Sequence, residues 1–428
     1  MKFYSVMKTL LITLFVVSIV FANGVLQDVQ TKMDEGNYQA ALDLIKPYVE
    51  ENPELPQALI LAGKIYYQLG YINEAKDLVD KAINLDRANQ EYRDFRNEMA
   101  SFVTQVTEAS RSKNDGKYTE AKDKFAELLK LNPNFAEGYF MYAQVLFQLD
   151  DAKNGSIALK KAMELRPEEE KYNQAYAMYG QKFLADGNAL LERRDYLRAT
   201  KKFQQALILD PGQYLAYYLL ARAYSEEKNY EDALLALDKC ISIKDDYIKA
   251  YVVKGNIFIK TNKLNDAIAT FTKITEIDRG YYAAWDKIGY INYTKKDYDA
   301  AIPAYNQAIK LDPEKSKPYE NLGVIYSEKK DWDNAITNLK KASELNTKEE
   351  TIWYRLAAAY NAKGDAQNAK DAADKALTVK PNWAAAQYEL GIAERRLGNL
   401  DQAKNAFRMA AKDPKWKKAA EFELNSGN

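Results

Sequence analysis

Apolar residues return along this chain on a period of 34. Ala41, Ala75, Ala121, Gly155, Ala199, Ala233, Ala267, Ala301, Ala335, Ala369 and Ala403 form a ladder whose steps are 34 residues long except for one of 46 and one of 44. Twelve residues before each rung stands a second small residue, such as Gly63, Ala143, Gly187, Gly255, Gly289, Gly323 and Gly391, and the first repeat alone departs, with Val29. Around both positions apolar residues fall three and four apart, as in Tyr217, Leu220, Ala221 and Tyr224, then Ala233, Leu237 and Cys240. That spacing predicts two amphipathic helices per repeat, and the paired small residues predict a close crossing, small side chain against small side chain. Between the helices lies a turn of fixed length: Gly or a charged residue, then Asp or Asn, then an aromatic, as at 36–38, 296–298 and 330–332. Its Asp or Asn side chain can cap the second helix by accepting free backbone N–H groups. Pro53, Pro133, Pro167, Pro211, Pro313 and Pro381 lie just past a second helix and cannot continue it.

A strict period of this length is the signature of a solenoid. Eleven repeats start near residues 22, 56, 102, 136, 180, 214, 248, 282, 316, 350 and 384. The chain resembles the tetratricopeptide repeat family, whose order of aromatic, Leu-Gly, Tyr, Ala, Phe and Pro reads here as Tyr319, Leu322, Gly323, Tyr326, Ala335, Ala342. It recurs as Trp353, Leu356, Ala357, Tyr360, Ala369, Ala376, Pro381, and as Trp285, Gly289, Tyr298, Ala301, Tyr305, Ala308, Pro313. The resemblance implies an all-α fold, an α-solenoid built as a right-handed superhelix of about eleven antiparallel helix pairs, with each first helix lining a concave groove. On this reading 1–22 is a signal peptide, 23–89 holds repeats one and two, and 90–179 holds repeats three and four. Residues 180–412 form a regular superhelix of repeats five to eleven, and 413–428 a capping helix and tail.

The two irregular steps add 12 residues around Gln90 to Ser101 and 10 around Glu170 to Tyr179. Tyr92, Phe95, Met99, Phe102 and Val106 keep helical spacing, as do Tyr172, Tyr176, Tyr179 and Phe183. Each insertion therefore predicts a first helix lengthened by about three turns, not a loop. Projecting beyond the regular stack, such helices would offer a separate contact surface or divide the chain near residue 180.

The start of the chain bears on location. Lys2 and Lys8 precede an apolar run from Thr9 to Phe21, and Val20 and Ala22 set small residues before a cut ahead of Asn23. This is the pattern of a secretory signal peptide, and the run is shorter than the ~20 residues a spanning helix needs. The expected location is the periplasm or cell envelope of a bacterium, with peripheral envelope association and no span in the mature chain. Cys240, the single cysteine, can form no internal disulfide and reads as a small core residue.

Composition narrows the function. Lys plus Arg and Asp plus Glu balance at 61 each, so no global field draws in nucleic acid. The basic run of Lys412, Lys415, Lys417 and Lys418 around Trp416 reads as a solvated face. There is no His anywhere in the 428 residues, which removes the usual neutral-pH general base and the Ser-His-Asp and Cys-His arrangements. No phosphate loop or Ca²⁺ loop occurs, and acidic pairs such as Asp297/Asp299 and Asp331/Asp333 fall where capping accounts for them. Neither enzyme activity, nor a cofactor, nor a metal is expected. Asn154–Ser156 and Asn292–Thr294 match the glycosylation triplet, a pattern common by chance.

Function is then expected on the groove. The resemblance implies that the fifth, ninth and twelfth residues of each repeat face it. The candidates are Ile60, Tyr67, Phe140, Gln144, Phe147, Leu184, Asn188, Tyr218, Arg222, Val252, Asn256, Tyr290, Tyr293, Tyr354 and Tyr388. Among fifth positions only Asp286 and Glu320 are charged. Apolar pockets flanked by amides suit an extended peptide or a partner helix, so a protein-binding scaffold is the expected function. Two alternatives stand beside it: sugar binding in polysaccharide export or envelope assembly, by stacking on the groove tyrosines, and self-assembly into homo-oligomers. The family's carboxylate clamp, Lys at the fifth and Asn at the ninth position, is lacking: Asn188 follows Leu184 and Asn256 follows Val252.

Overall fold

The computed structural model describes residues 24–426, so the signal segment lies outside the described residues. Every regular element among them is a helix, and the chain is an all-α solenoid of paired helices. By their internal contacts the described residues form two compact units, 24–216 and 217–426; the segments expected from the repeats follow periodicity, whereas these units follow packing. The first unit holds α1 (24–34), α2 (Tyr38–Glu51), α3 (Pro56–Gln68), α4 (Ile72–Leu85), α5 (Gln90–Asn114), α6 (Tyr118–Leu131), α7 (Ala136–Gln148), α8 (Ala152–Leu165), α9 (Glu170–Glu192) and α10 (Tyr196–Leu209). The division falls within α11 (Tyr214–Glu226). The second unit continues with α12 (Tyr230–Ile243), α13 (Ile248–Lys260), α14 (Leu264–Ile277), α15 (Tyr282–Thr294), α16 (Tyr298–Leu311), α17 (Ser316–Glu328) and α18 (Trp332–Leu345). It ends with α19 (Glu350–Lys363), α20 (Ala366–Val379), α21 (Ala384–Arg396), α22 (Leu400–Ala410) and α23 (Pro414–Asn425).

The turn inside each pair is a backbone device. Its middle residue lies in the left-handed region in every repeat: Gly36, Gly70, Gly116, Gly364 and Gly398, but also Asp150, Arg194, Lys228, Asn262, Lys296 and Lys330. Glycine adopts that conformation freely and the other six at a cost. The next residue caps the second helix where the sequence permits: Asn37, Asp151, Asp195, Asp297, Asp331 and Asp365 each accept a backbone N–H with a side-chain oxygen. Asn229 in the same place makes no such bond.

The ladder residues are buried, yet they do not meet the small residue opposite side chain to side chain. What fills the notch over each glycine twelve positions before a rung is a larger apolar side chain four positions past that rung. A Cβ on Gly187, Gly255 or Gly391 would stand 2.6 Å from the ring of Phe203, Phe271 or Phe407. On Gly289 and Gly323 it would meet Tyr305 at 2.8 Å and Leu339 at 2.5 Å. The expectation of small against small is thus corrected: the glycine admits a ring, and the alanine lets the backbones approach. Phe125, Phe203, Phe271, Tyr305 and Phe407, all at that offset, are fully buried, each worth about 2–3 kcal/mol of apolar burial.

Both insertions are helical. Helices α5 and α9 run for 25 and 23 residues, against 13 for α7. In the first unit the turn before α4 is also bound by two later loops. Asn132 and Asn134 donate to the carbonyls of Tyr67 and Gln68 at 2.7 and 2.9 Å, and Arg166 donates to that of Gly70 at 2.8 Å while stacking on Tyr71. Gly70 is obligatory there, because a Cβ would come within 2.3 Å of the Asn134 carbonyl oxygen.

Candidate functional site

The fifth, ninth and twelfth residues of the repeats behave differently in the two units. In the first, Ile60, Tyr67 and Phe147 are buried in the core, which corrects their expected place on an open groove. The long helices account for this. Phe95 and Phe102 of α5 meet Tyr67 edge-on, with ring centroids 5.6 and 5.7 Å away, and burial pushes the Tyr67 hydroxyl up to about 12. Tyr179 and Phe183 of α9 cover Phe147 at 4.3 and 5.8 Å, and Tyr172 packs on Phe140 at 5.2 Å. Phe140, Gln144, Leu184 and Asn188 stay half-buried. Gln144 accepts from Lys113 Nζ at 2.7 Å, and Asn188 donates to Glu192 at 3.3 Å.

One residue in the sequence signalled this inward turn. Gly155 is the single glycine of the ladder, and a Cβ there would strike the Phe147 ring at 2.6 Å. The rung is glycine because Phe147 occupies the alanine's space.

In the second unit the corresponding positions remain accessible. Tyr218, Val252, Asn256, Tyr293, Tyr354 and Tyr388 are half-buried, while Arg222 and Tyr290 are exposed. Two hollows lie between neighbouring first helices at these positions. One, of about 150 Å³, is lined by Arg222, Ser225, Asn256 and Lys260 of α11 and α13. The other, of about 310 Å³, lies between α17 and α19, with Val324, Ala358 and Ala362 beside Tyr354, Trp332, Arg355 and Glu328. The first is lined mainly by polar and charged side chains, the second by apolar surface with a few polar groups at the rim.

Most of the tyrosines are already engaged. Tyr218 packs edge-on against Tyr247 at 5.2 Å, and Tyr354 lies tilted against Trp383 at 5.1 Å. Tyr388 lies against Trp416 of the closing helix at 5.1 Å. Tyr293 donates to Glu328 at 3.4 Å, and Tyr298 donates to the same carboxylate. Tyr290, 46% exposed, has Lys287 over its ring.

Two carboxylates missed as candidates occupy fifth positions on this face. Glu320 is clamped by Lys317 at 2.9 Å and by Arg355. The Asp286 side chain makes no hydrogen bond or ion pair among the described residues, and its Oδ1 is buried. Burial holds its carboxyl above the usual range, against the weaker pull of Lys287 and Lys317. The sequence marked both as departures from an apolar series.

Cys240 is fully buried, and burial pushes its thiol up to about 11, the opposite of an activated thiolate. No group of three or more potential metal ligands occurs among the described residues, and no described helix is long and apolar enough to cross a membrane. Asn292 of the second glycosylation triplet is buried at 6% exposure, so that side chain is not an accessible acceptor.

Comparison with known proteins follows the repeats. Tetratricopeptide repeat models match residues 32–98, 108–168, 190–244, 248–281, 316–349, 350–382 and 385–415, and a model described as TPR repeat matches 289–330. Of the intervals between matches, 99–107 lies within α5, and 169–189 runs from the N-cap of α9 into that helix. Human mitochondrial import receptor subunit TOM70 is 25% identical over 50% of this chain and 34% of its own length. A heat shock protein sti1 homolog of Schizosaccharomyces pombe is 38% identical over 15% of this chain and 11% of its own. The chain thus spans about a third or less of the curated relatives it matches. Among solved structures, MamA is 25% identical, covering 41% of this chain and 96% of its own at a TM-score of 0.37. The protein pilF of Pseudomonas aeruginosa is 20% identical, covering 50% and 98% at a TM-score of 0.41. With family models matching along most of its length and the helix pairs in register with them, the chain belongs to the tetratricopeptide repeat family.

Proposed function

We propose that this protein is a non-catalytic scaffold that binds an extended peptide or a helix of partner proteins on the first-helix face of its second unit. Repeats of this family serve in general as scaffolds for peptides and proteins. The observation that carries the reading is the pair of hollows between successive first helices, at α11/α13 and α17/α19, lined from the repeat positions where the family binds. Side chains of a partner enter such hollows while polar groups at the rim pair with its backbone. In the first unit Ile60, Tyr67 and Phe147 are buried, the latter two against rings of the long helices, so the partner site is assigned to the second. The location is the bacterial envelope, on the strength of the charged and apolar pattern in residues 1–22.

Sugar stacking is the weaker reading, because Tyr218, Tyr354 and Tyr388 already pack against protein rings. Photo-crosslinking in cells from Tyr218 and Tyr290, with Phe140 of the first unit and exposed Lys239 of α12 as controls, tests the proposal. Capture of one envelope protein from Tyr218 and Tyr290 and not from the controls is expected. Equal capture from all four positions, or none, would reject it.

A further inference from the structure

Asp286 and Glu320 stand at the same place in consecutive repeats, and the chain treats them in opposite ways. Glu320 has two cations: Lys317, from the second position of its own repeat, and Arg355, from the sixth position of the next. The corresponding residues for Asp286 are Ala283 and Asn321. Alanine brings no charge. The Asn321 amide is directed elsewhere, donating to the Tyr305 hydroxyl at 3.0 Å. Asp286 therefore has one oxygen buried and unbonded and part of its surface open, with Lys287 and Lys317 in electrostatic reach and neither paired with it.

A half-buried carboxylate without a hydrogen-bonded partner is destabilising in the free protein. Resting on the reading that this face binds a peptide, we propose that Asp286 receives a cationic side chain, Lys or Arg, from the bound chain. The partner then supplies the cation that Arg355 supplies one repeat later. The hollow between α17 and α19, with its Val324, Ala358 and Ala362 surface, takes an aliphatic residue of the same peptide. The preferred ligand is basic and apolar, the reverse in charge of the acidic tails that a carboxylate clamp grips.

Fluorescence anisotropy on the full chain tests this with three labelled twelve-residue peptides in which Val alternates with Lys, with Glu or with Ser. The Lys peptide is expected to bind best. Asp286→Asn should weaken it by roughly tenfold or more, as loss of a charge-assisted bond does, and leave the Ser peptide unchanged. The same variant should raise the melting temperature, since an unpaired carboxylate is removed; a residue kept for structure would lower it. Equal affinity for the Lys and Ser peptides, an unchanged Lys affinity in the variant, or a lowered melting temperature would overturn the assignment and leave the peptide-binding face standing. Failure of all three peptides to bind would overturn both.

Discussion

At the scale of single residues, the repeat asks for one backbone conformation eleven times and finds glycine for it in five. Lys330, at φ 59°, and Lys296, at φ 60°, hold the left-handed turn with side chains that disfavour it. That strain is about 1–2 kcal/mol per residue, partly offset because glycine has more freedom to lose on folding. Lys330→Gly should therefore stabilise the protein by about 0.5–1 kcal/mol in urea unfolding, and Gly364→Ala, at φ 92°, should destabilise it by about 1 kcal/mol. Identical midpoints for both variants would refute the account. This constraint is only half legible in the sequence: the glycines announce the conformation, whereas Asp150, Arg194, Lys228, Asn262, Lys296 and Lys330 look like ordinary surface residues. Their position in the 34-residue period is what gives them away.

Among elements, the long helices α5 and α9 are the departure from regularity that matters most. Their length could be read from spacing, since Tyr92, Phe95, Met99 and Phe102 keep a helical face through the insertion. What they cover could not, because a pattern along one helix does not say which neighbour it meets. Gly155 recorded part of the answer, the inward turn of Phe147 beneath α9. Phe95→Ala should cost about 2 kcal/mol, less than a fully buried phenylalanine, because Phe95 is half-buried yet edge-on to Tyr67. An unchanged unfolding midpoint would mean that the extension of α5 covers nothing of consequence. The face of the second unit was legible as a register of positions. Its specificity was not, because Asp286 acquires meaning only from the amide of Asn321 turning away.

For the molecule as a whole, the two units should respond differently to acid. Glu120, Asp150 and Asp195 in the first unit all have carboxyls held below the usual range by lysine or arginine partners: Lys124 for Glu120, Lys201 and Lys202 for Asp150, Arg198 for Asp195. A depressed carboxylate contributes stability above its unfolded value, near 4, and loses it as pH falls through the folded value. In the second unit burial raises Asp286, Asp374 and Glu389, which has the opposite sign: they destabilise at neutral pH and cease to do so as they take up protons. Glu350 and Glu394, both lowered, temper that gain. Hydrogen exchange from pH 7 to 3, corrected for intrinsic rates, should show protection failing first in residues 24–216. Simultaneous loss in both units would contradict this balance of signs.

The loops that bind Gly70 have a further consequence. A solenoid joined only between neighbours can fray from an end one repeat at a time, and bonds such as Lys295 to Asn265 or Lys329 to Asp299 step across one repeat in that way. The turn at 68–71 instead reaches Asn134, 66 residues on from Gln68, and Arg166, 96 residues on from Gly70. Repeats two, three and four are thereby tied into one cooperative block. An unfolding front moving through them has no intermediate halting point, and during synthesis the turn must wait for nearly a hundred more residues before its last contact can form.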